Sequence, residues 1–249
     1  MAERRLRLVV AYRGTPFRGW ADNEGVRSVE ATLRRAIEQV LGHEVALDVA
    51  GRTDAGVHAV GQVVSLTTTT TLAAASIVPA VNARCGPDVA VQDAVEVDHD
   101  FHARFSAVAR RYRYRILNRA VRDPLRCEVT WHVRHPLDLD ALAAATAPLV
   151  GEHDFASFCR RPKLPHGAST VRRVTDATWG AAADELHFEI EANAFCHQMV
   201  RSLVGLLVAI GVGRRRPSEV VEVLAARDRG AVRADIAPPC GLTLVAVRY

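Results

Sequence analysis

The hydrophobic pattern between residues 4 and 97 most constrains the fold, because stretches with the alternation of strands and stretches with the spacing of helices follow one another in a definite order. Apolar residues alternate with arginines over residues 4–12, which predicts a half-buried strand. Ser28 begins a predicted helix that runs to Leu41 and ends at Gly42. The remaining predicted elements are strands over 44–50, 61–66 and 89–97, and a helix over 73–83 that Pro79 interrupts. This order approximates the split βαβ pattern of ferredoxin-like domains.

The second half of the chain shows another mixed pattern. Predicted strands cover 109–115, 123–133, 171–179, 185–192 and 243–249, and predicted helices cover 137–150, the stretch that ends near Gly213, and a stretch from Ser218. A length of 249 residues fits one large domain or two small ones. We predict an α+β chain with an N-terminal α/β domain over residues 1–105 and a C-terminal α/β domain over 106–249.

A glycine-flanked run, Gly51-Arg52-Thr53-Asp54-Ala55-Gly56-Val57-His58-Ala59, separates two of the predicted strands. The two glycines allow a tight turn and a close approach to a ligand. Between them the run places a cation, a hydroxyl and a carboxylate, and loops on rigid strands commonly carry catalytic groups. Asp54 is therefore a candidate catalytic residue. The alternative is a turn residue that bonds its own backbone.

Two further loops have the composition of RNA-contacting segments. Around residues 14–25, Arg18 and Trp20 combine a cation with an aromatic ring, a mixture that stacks bases and binds phosphates. A hydrophobic cap over a sheet edge explains the aromatic residues equally well. A predicted loop over 160–170 contains Arg160, Arg161 and Lys163, and we interpret it as a segment that binds an RNA backbone. The alternative is an ordinary solvated loop.

Composition narrows the function classes only modestly. Lys163 is the only lysine among 32 basic residues; the arginine bias suits phosphate recognition, but a GC-rich genome produces the same bias. Five scattered cysteines without a C-x-x-C pair predict reduced thiols and no zinc site. Neither a signal peptide nor a membrane span is predicted, so we expect a cytoplasmic protein without a membrane partner. Neither a metal nor a nucleotide cofactor is indicated.

Several separated motifs together resemble the TruA family of tRNA pseudouridine synthases. The family signature matches the run at 51–59, D-F-H-A-R-x-S matches 100–106, and R-x-Y-x-Y matches 110–114. Near the end of the chain, F-x-x-x-M-V-R matches 195–201 and A-P-x-x-G-L-x-L matches 237–244. One departure is Gly19-Trp20-Ala21, where the family commonly has G-W-Q in an RNA-contacting loop.

The resemblance implies a role for each matched residue. Asp54 becomes the catalytic carboxylate, acting on the ribose C1′ or on the base, and Arg201 its ion-pair partner. Tyr112 contacts the target base, Arg52 helps to bind the flipped nucleotide, and either Leu242 or Leu244 packs under the base. From the residues alone, two core tyrosines on a sheet remain an equally valid interpretation of Tyr112 and its neighbour.

The resemblance also implies the fold, the reaction and the partners. It predicts two ferredoxin-like (RRM-like) halves with antiparallel sheets joined around a central active-site cleft. The implied reaction converts uridine to pseudouridine at positions 38 to 40 of the tRNA anticodon stem-loop, without a cofactor, in a homodimer. Two other functions remain open at this point: a non-catalytic RNA-binding protein on the same scaffold, and a metal-dependent phosphodiesterase.

Overall fold

The computed structural model describes residues 3–160 and 169–249. Mutual contacts divide the described chain into two compact units, one of which comprises residues up to Val108 together with Thr243–Tyr249, and the other Ala109–Leu242. The α+β class predicted above is confirmed by the helices and mainly antiparallel strands of both units. The predicted domain boundary between residues 105 and 106 stays a prediction, as does the pairing of two ferredoxin-like halves around a cleft.

The first unit contains a sheet whose central strands are β1 (Arg4–Tyr12) and β3 (His58–Thr68). These strands are antiparallel to each other, and β4 (Val89–Val97) lies antiparallel on the other side of β1. The short β2 (Asp48–Val49) pairs with the far half of β3, while the last strand of the chain runs parallel to the first residues of β3. The pleat buries Leu6, Leu8 and Val10 on one face, as the alternating pattern predicts.

Two helices cover this sheet. Helix α1 (Val29–Leu41) begins where the Ser28 side chain accepts a hydrogen bond from the Ala31 amide, and it ends at Gly42 in the left-handed conformation. Helix α2 (Ala74–Cys85) packs against α1 and β4. The element order predicted for this region, β-α-β-β-α-β, is confirmed.

The second unit has a sheet in the order β5 (Ala109–Asn118), β9 (Glu185–Ala192), β8 (Val171–Ala182) and β7 (Gly151–Asp154), with all three pairs antiparallel. The short β6 (Trp131–Val133) pairs in parallel with the end of β5. Arginines on one face of β5 form ion pairs with glutamates of β9, namely Arg111, Arg113 and Arg115 with Glu191, Glu189 and Glu185. Ion pairs between neighbouring strands therefore account for the alternate arginines of this run.

The second unit contains a largely apolar helix, α4 (Met199–Gly211). Helix α3 (Leu139–Thr146) is capped by Asp138 and packs against α4. Helix α5 (Glu219–Ala226) follows α4 in the sequence. Most of α4 is buried, which agrees with its apolar residues on nearly every side. The final strand, β10 (Leu242–Arg248), begins where this unit ends.

Three predicted elements differ from the structure. The strand over 44–50 shortens to β2, and the strand over 123–133 shortens to β6. Turns occupy most of residues 123–130 because Arg126 donates hydrogen bonds to Asp123, Asp184 and Glu185, which secure an irregular backbone. The interruption at Pro79 is also wrong: α2 continues through it, since tertiary packing offsets the missing amide hydrogen bond.

Candidate active site

The Asp54 loop, defined as Gly51–Val57, connects β2 to β3 in the first unit. The Val57 amide donates a hydrogen bond of 3.1 Å to the Asp54 carbonyl, and Gly56 has a positive φ of 79°. These features close a tight turn that leaves the Asp54 side chain partly exposed. The preceding Thr53 is buried, so the loop holds Thr53 in the interior and exposes part of Asp54 at the surface.

The loop over residues 14–20 lies directly on the Asp54 loop. The Trp20 amide donates a hydrogen bond of 3.0 Å to the Thr53 carbonyl. A Cβ atom built on Gly14 would lie 2.1 Å from the Val57 carbonyl oxygen, and one on Gly19 would lie 3.1 Å from that of Thr53. Two backbones therefore meet here at a distance that only glycine permits.

A buried polar chain fixes the Asp54 loop from below. The Tyr12 hydroxyl lies 2.8 Å from the Thr53 hydroxyl, and the Gln62 amide donates to both Tyr12 and the Gly51 carbonyl, at 3.2 and 2.7 Å. Burial raises the pKa of Tyr12 to about 12, although its hydrogen bonds with Thr53 and Gln62 lower it. Tyr12 is thus a neutral, directional partner, and the sequence alone did not identify this chain of contacts.

The predicted RNA-contacting residues of this unit divide by exposure. Trp20 is 1% exposed and its ring contacts Tyr12, while Phe17 is 2% exposed beneath the Arg27 guanidinium. This arrangement favours the interpretation of the aromatic residues as a cap, and RNA contact by Trp20 stays a prediction. Arg18 and Arg52 are exposed, as a phosphate-contacting role requires.

A buried carboxylate just before β4 anchors both ends of the segment that contains the 14–20 loop. Asp88 accepts hydrogen bonds from Arg13 at 2.8 Å and from Arg27 at 2.9 Å. The hydrogen bond from Arg13 lowers the pKa of Asp88, and Arg27 adds to this effect while burial opposes it. The two arginines that flank the 14–20 loop are therefore occupied by structural ion pairs with one carboxylate.

In the second unit, Tyr112 and Tyr114 share the buried face of β5. The Phe195 ring approaches Tyr112 edge-on, with 5.0 Å between ring centroids, and Tyr112 is only 9% exposed. Tyr114 donates a hydrogen bond of 2.7 Å to the Pro238 carbonyl, and a Cβ atom on Gly241 would lie 2.6 Å from the Tyr114 ring. Tyr114 is thus a core residue that supports the segment leading to Leu242, which is also buried.

Arg201 lies in the first turn of α4 and is partly exposed. Its Nε donates a hydrogen bond of 2.8 Å to the Ala237 carbonyl, and the Ala237 amide donates one of 3.1 Å to the Arg201 carbonyl. The same segment passes so close to α4 that a Cβ atom on Gly205 would lie 2.0 Å from the Asp235 carbonyl. Arg201 is therefore oriented by the backbone on either side of Ala237, and its predicted pairing with Asp54 stays a prediction.

Arginine side chains concentrate near the start of α4. Burial lowers the pKa of Arg229, and the positive charges of Arg160 and Arg201 lower it further. Arg229 donates a hydrogen bond of 2.9 Å to the Gln198 side chain, and Gln198 has a positive φ of 65° just before the helix. A non-glycine residue in this conformation is uncommon and is concentrated at functional sites. Sequence reasoning missed Arg229, for which no motif gave a signal.

Cys159 and Cys196 form a disulfide, with their Cα atoms 5.6 Å apart. The prediction of five reduced thiols is therefore wrong for this pair. The two cysteines are 37 residues apart in sequence, so no local spacing indicated that they meet. Cys85, Cys127 and Cys240 are free thiols.

The remaining predictions concern the loop over 160–170, a metal site and a membrane span. Arg161 and Lys163 lie outside the described residues, whereas Arg160 is exposed and its amide donates to the His197 carbonyl. Over 3–160 and 169–249, no group of three or more His, Cys, Asp or Glu side chains is arranged to bind a metal ion. No helix in the same residues is long and apolar enough to cross a membrane.

Comparisons with known proteins point to one family. A family model described as tRNA pseudouridine synthase matches residues 8–106 and 145–249. A "tRNA pseudouridine synthase A" of Nitrosococcus oceani is 46% identical over 246 residues, covering 98% of this chain and 93% of the relative. One of Myxococcus xanthus is 42% identical over 246 residues, covering 98% and 92%.

Among solved structures, a chain from the "Crystal Structure of a Cbf5-Nop10-Gar1 Complex" matches 81% of this chain and 54% of its own length, at 14% identity and a TM-score of 0.33. A likeness this low carries no argument about the fold. The family model and the full-length relatives are decisive instead, and this chain belongs to the tRNA pseudouridine synthase family, whose members isomerise uridine to pseudouridine in tRNA.

Proposed function

We propose that this chain isomerises uridine at positions 38 to 40 of the tRNA anticodon stem-loop, with Asp54 as the catalytic carboxylate. The observation that carries the proposal is the fixed backbone of the Asp54 loop. The Thr53 carbonyl accepts a hydrogen bond from the Trp20 amide, and the Thr53 hydroxyl bonds the Tyr12 hydroxyl. On the other side of Arg52, the Gly51 carbonyl accepts a hydrogen bond from the Gln62 side chain. A carboxylate presented from an immobile loop is suited to act on a base removed from its stack.

The reaction balances without an external reagent. The N1–C1′ bond breaks, the uracil turns, and a C5–C1′ bond forms; C5 releases a proton and N1 gains one. Asp54 acts on the ribose C1′ or on the base. Arg52, exposed beside it, binds the flipped nucleotide, and Arg201 pairs with Asp54 and orients it. The match of residues 195–201 to the family motif F-x-x-x-M-V-R supports this pairing.

The remaining proposed contacts concern the base and the RNA backbone. Tyr112 contacts the uracil ring, and Leu242 packs beneath it. Arg18 and Trp20 contact RNA near the Asp54 loop. Arg160, Arg161 and Lys163 contact phosphates from the 160–170 loop, a proposal supported by the positive charges near Arg229.

Two properties of the assembly complete the proposal. We infer a homodimer with tRNA lying across both subunits, because the resembling family is dimeric. We also infer a cytoplasmic location, where tRNA substrates are modified. Sedimentation of the purified protein with and without tRNA tests the first, and cell fractionation tests the second; a monomer in both states contradicts the dimer.

The deciding experiment measures pseudouridine formation on unmodified tRNA, with a chelator present, for wild type and Asp54→Asn. We expect the variant to lose at least about a thousandfold in rate while its tRNA affinity changes little, because the amide lacks the charge but retains the shape. Asp98→Asn is a matched control, since Asp98 is an exposed aspartate of the same unit, and it is expected to react like wild type.

Other outcomes identify the alternatives. Full activity in Asp54→Asn contradicts the catalytic assignment. Tight tRNA binding without turnover in wild type indicates a non-catalytic RNA-binding protein. Cleavage of RNA that the chelator abolishes indicates a metal-dependent phosphodiesterase.

A second experiment tests the 160–170 loop by replacing Arg160, Arg161 and Lys163 together with glutamine. We expect weaker tRNA binding and a shallower salt dependence, since each lost phosphate contact reduces the logarithmic salt slope by about 0.7 to 0.9. Salt titrations of tRNA affinity provide the measurement. An unchanged slope shows that this loop does not contact phosphates.

A further inference from the structure

Two segments of the second unit meet at the disulfide between Cys159 and Cys196. Their Cα separation of 5.6 Å lies within the range usual for two bonded cysteines. Next to it, the Arg160 amide donates a hydrogen bond of 2.9 Å to the His197 carbonyl. This backbone contact does not depend on the sulfur atoms, so the two segments are positioned for pairing in the reduced protein as well.

The second of these segments, residues 193–198, links β9 to α4 and carries Phe195. Phe195 contacts the Tyr112 ring edge-on, and Tyr112 is 9% exposed. Phe195 therefore covers part of the Tyr112 ring, and a base that approaches Tyr112 from this side requires Phe195 to move. A covalent bond at Cys196, the next residue, restrains that movement, and Gln198 at the other end of the segment is already in an uncommon conformation.

We propose that Cys159 and Cys196 form a site of reversible oxidation whose disulfide keeps Phe195 over Tyr112 and slows turnover, whereas the dithiol form is the active one. The effect on turnover rests on the proposed function, because it requires Tyr112 to contact the target base. The pairing of the two thiols does not.

The oxidation step balances with a small-molecule disulfide such as oxidised glutathione. The Cys196 thiolate attacks one sulfur of the reagent, forms a mixed disulfide and releases one thiolate; the Cys159 thiolate then attacks the Cys196 sulfur and releases the second. Two protein thiols are oxidised, and one reagent disulfide is reduced to two thiols. Cys196 reacts first because it is partly exposed, while Cys159 is 2% exposed.

The other cysteines provide an internal control. Burial raises the pKa of the Cys85 thiol to about 11, which suppresses its reactive thiolate form. Cys127 is exposed and free. Burial raises the pKa of the Cys240 thiol, and the charge of the nearby Cys127 raises it further, which suppresses the thiolate form of Cys240 as well. Replacing Cys127 therefore separates oxidation at that residue from oxidation of the Cys159–Cys196 pair.

The test compares full-length protein treated with reduced or with oxidised glutathione. Peptide mapping should find Cys159 bonded to Cys196 after oxidation, and hydrogen exchange of residues 193–198 should slow. We expect kcat/KM on unmodified tRNA to fall by about fivefold or more, a typical coupling between two sites, and to recover with dithiothreitol. Cys196→Ser and Cys159→Ser should keep the reduced rate under both conditions, while Cys127→Ser should respond like wild type.

Each contrary result has one meaning. Failure of the pair to form, or equal hydrogen exchange in the two states, overturns the inference. Active protein with the disulfide and an unchanged kcat/KM also overturns it, and leaves the proposed function intact. If the reduced protein forms no pseudouridine, the proposed function fails and the proposed control of turnover fails with it, while peptide mapping and hydrogen exchange decide the pairing.

Discussion

The Asp54 loop and the 193–201 segment both carry residues matched to the family motifs, yet different interactions fix them. Neutral hydrogen bonds and close backbone contacts fix the Asp54 loop, with Gly14 against Val57 and Trp20 bonded to Thr53. The 193–201 segment contains a disulfide, the left-handed Gln198 and a partly exposed arginine, and it lies among other positive charges.

The difference indicates what each region contributes to the reaction. A carboxylate that attacks or stabilises one atom requires a position accurate to a fraction of an ångström, which directional contacts between backbones provide. A surface that receives a flexible polyanion requires charge and some freedom to move. Substitutions that displace the Asp54 loop should therefore impair turnover, whereas loss of a cation near the 193–201 segment should impair RNA binding.

Among substitutions outside the catalytic residue itself, the largest expected effect is that of Gly14→Ala. Its Cβ would lie 2.1 Å from the Val57 carbonyl oxygen, so one of the two backbones has to shift and the Asp54 loop shifts with it. We expect kcat to fall by about a hundredfold with little change in tRNA affinity. Gly180→Ala is the control, since its nearest neighbouring atom is 3.9 Å away. Thermal unfolding of both variants separates a displaced loop from a failed fold, and a folded Gly14→Ala with wild-type kcat refutes the close-contact explanation.

The next prediction concerns the neutral Tyr12 beneath the Asp54 loop. Because the folded-state pKa is about 12 and the ordinary value is 10.0, Tyr12 is protonated in both states below about pH 10. As pH rises from about 10 to 12, only the unfolded state releases its proton, so the free energy of unfolding falls. The advantage of wild type over Tyr12→Phe should shrink by roughly 2 to 3 kcal/mol across this range.

Urea unfolding at a series of pH values measures this advantage. Phe17→Leu is the matched control, because Phe17 is a buried aromatic residue of the same unit without a titratable group, and its difference from wild type should be constant with pH. Tyr114 is present in wild type and in both variants, so its contribution cancels. A constant difference for Tyr12→Phe shows that the phenol is not buried as a neutral group.

Local signals in the sequence were sufficient for much of the fold. Helix α1 begins and ends as predicted because Ser28 and Gly42 act within one turn of the helix. Strand β1 follows from alternation alone. The prediction of a strand over 123–133 was wrong for most of its length, because the backbone there is held by the hydrogen bond from Arg126 to Asp184. Asp184 lies about sixty residues further along the chain, and no local pattern indicates such a contact.

The candidate site divides in the same way. Glycines and charges within nine residues singled out the Asp54 loop, since everything needed to notice it is local. Its support by Tyr12 and Gln62, and the meeting of Cys159 with Cys196, depend on residues that are tens of positions apart. Folding brings these partners together, and no local pattern in a single sequence indicates which distant residues will meet.

The smallest expected effect is that of Arg229→Gln, which tests the role of positive charge near the 193–201 segment. Loss of one cation beside Arg160 and Arg201 should weaken tRNA binding by about threefold and reduce the logarithmic salt slope by about 0.7 to 0.9, while kcat at saturating tRNA stays unchanged. Arg173→Gln removes an exposed arginine of the same unit that pairs with Glu152, and it should alter neither quantity. A loss of kcat without a change in salt slope would instead mean that Arg229 acts through its hydrogen bond to Gln198, and that positioning matters in both regions.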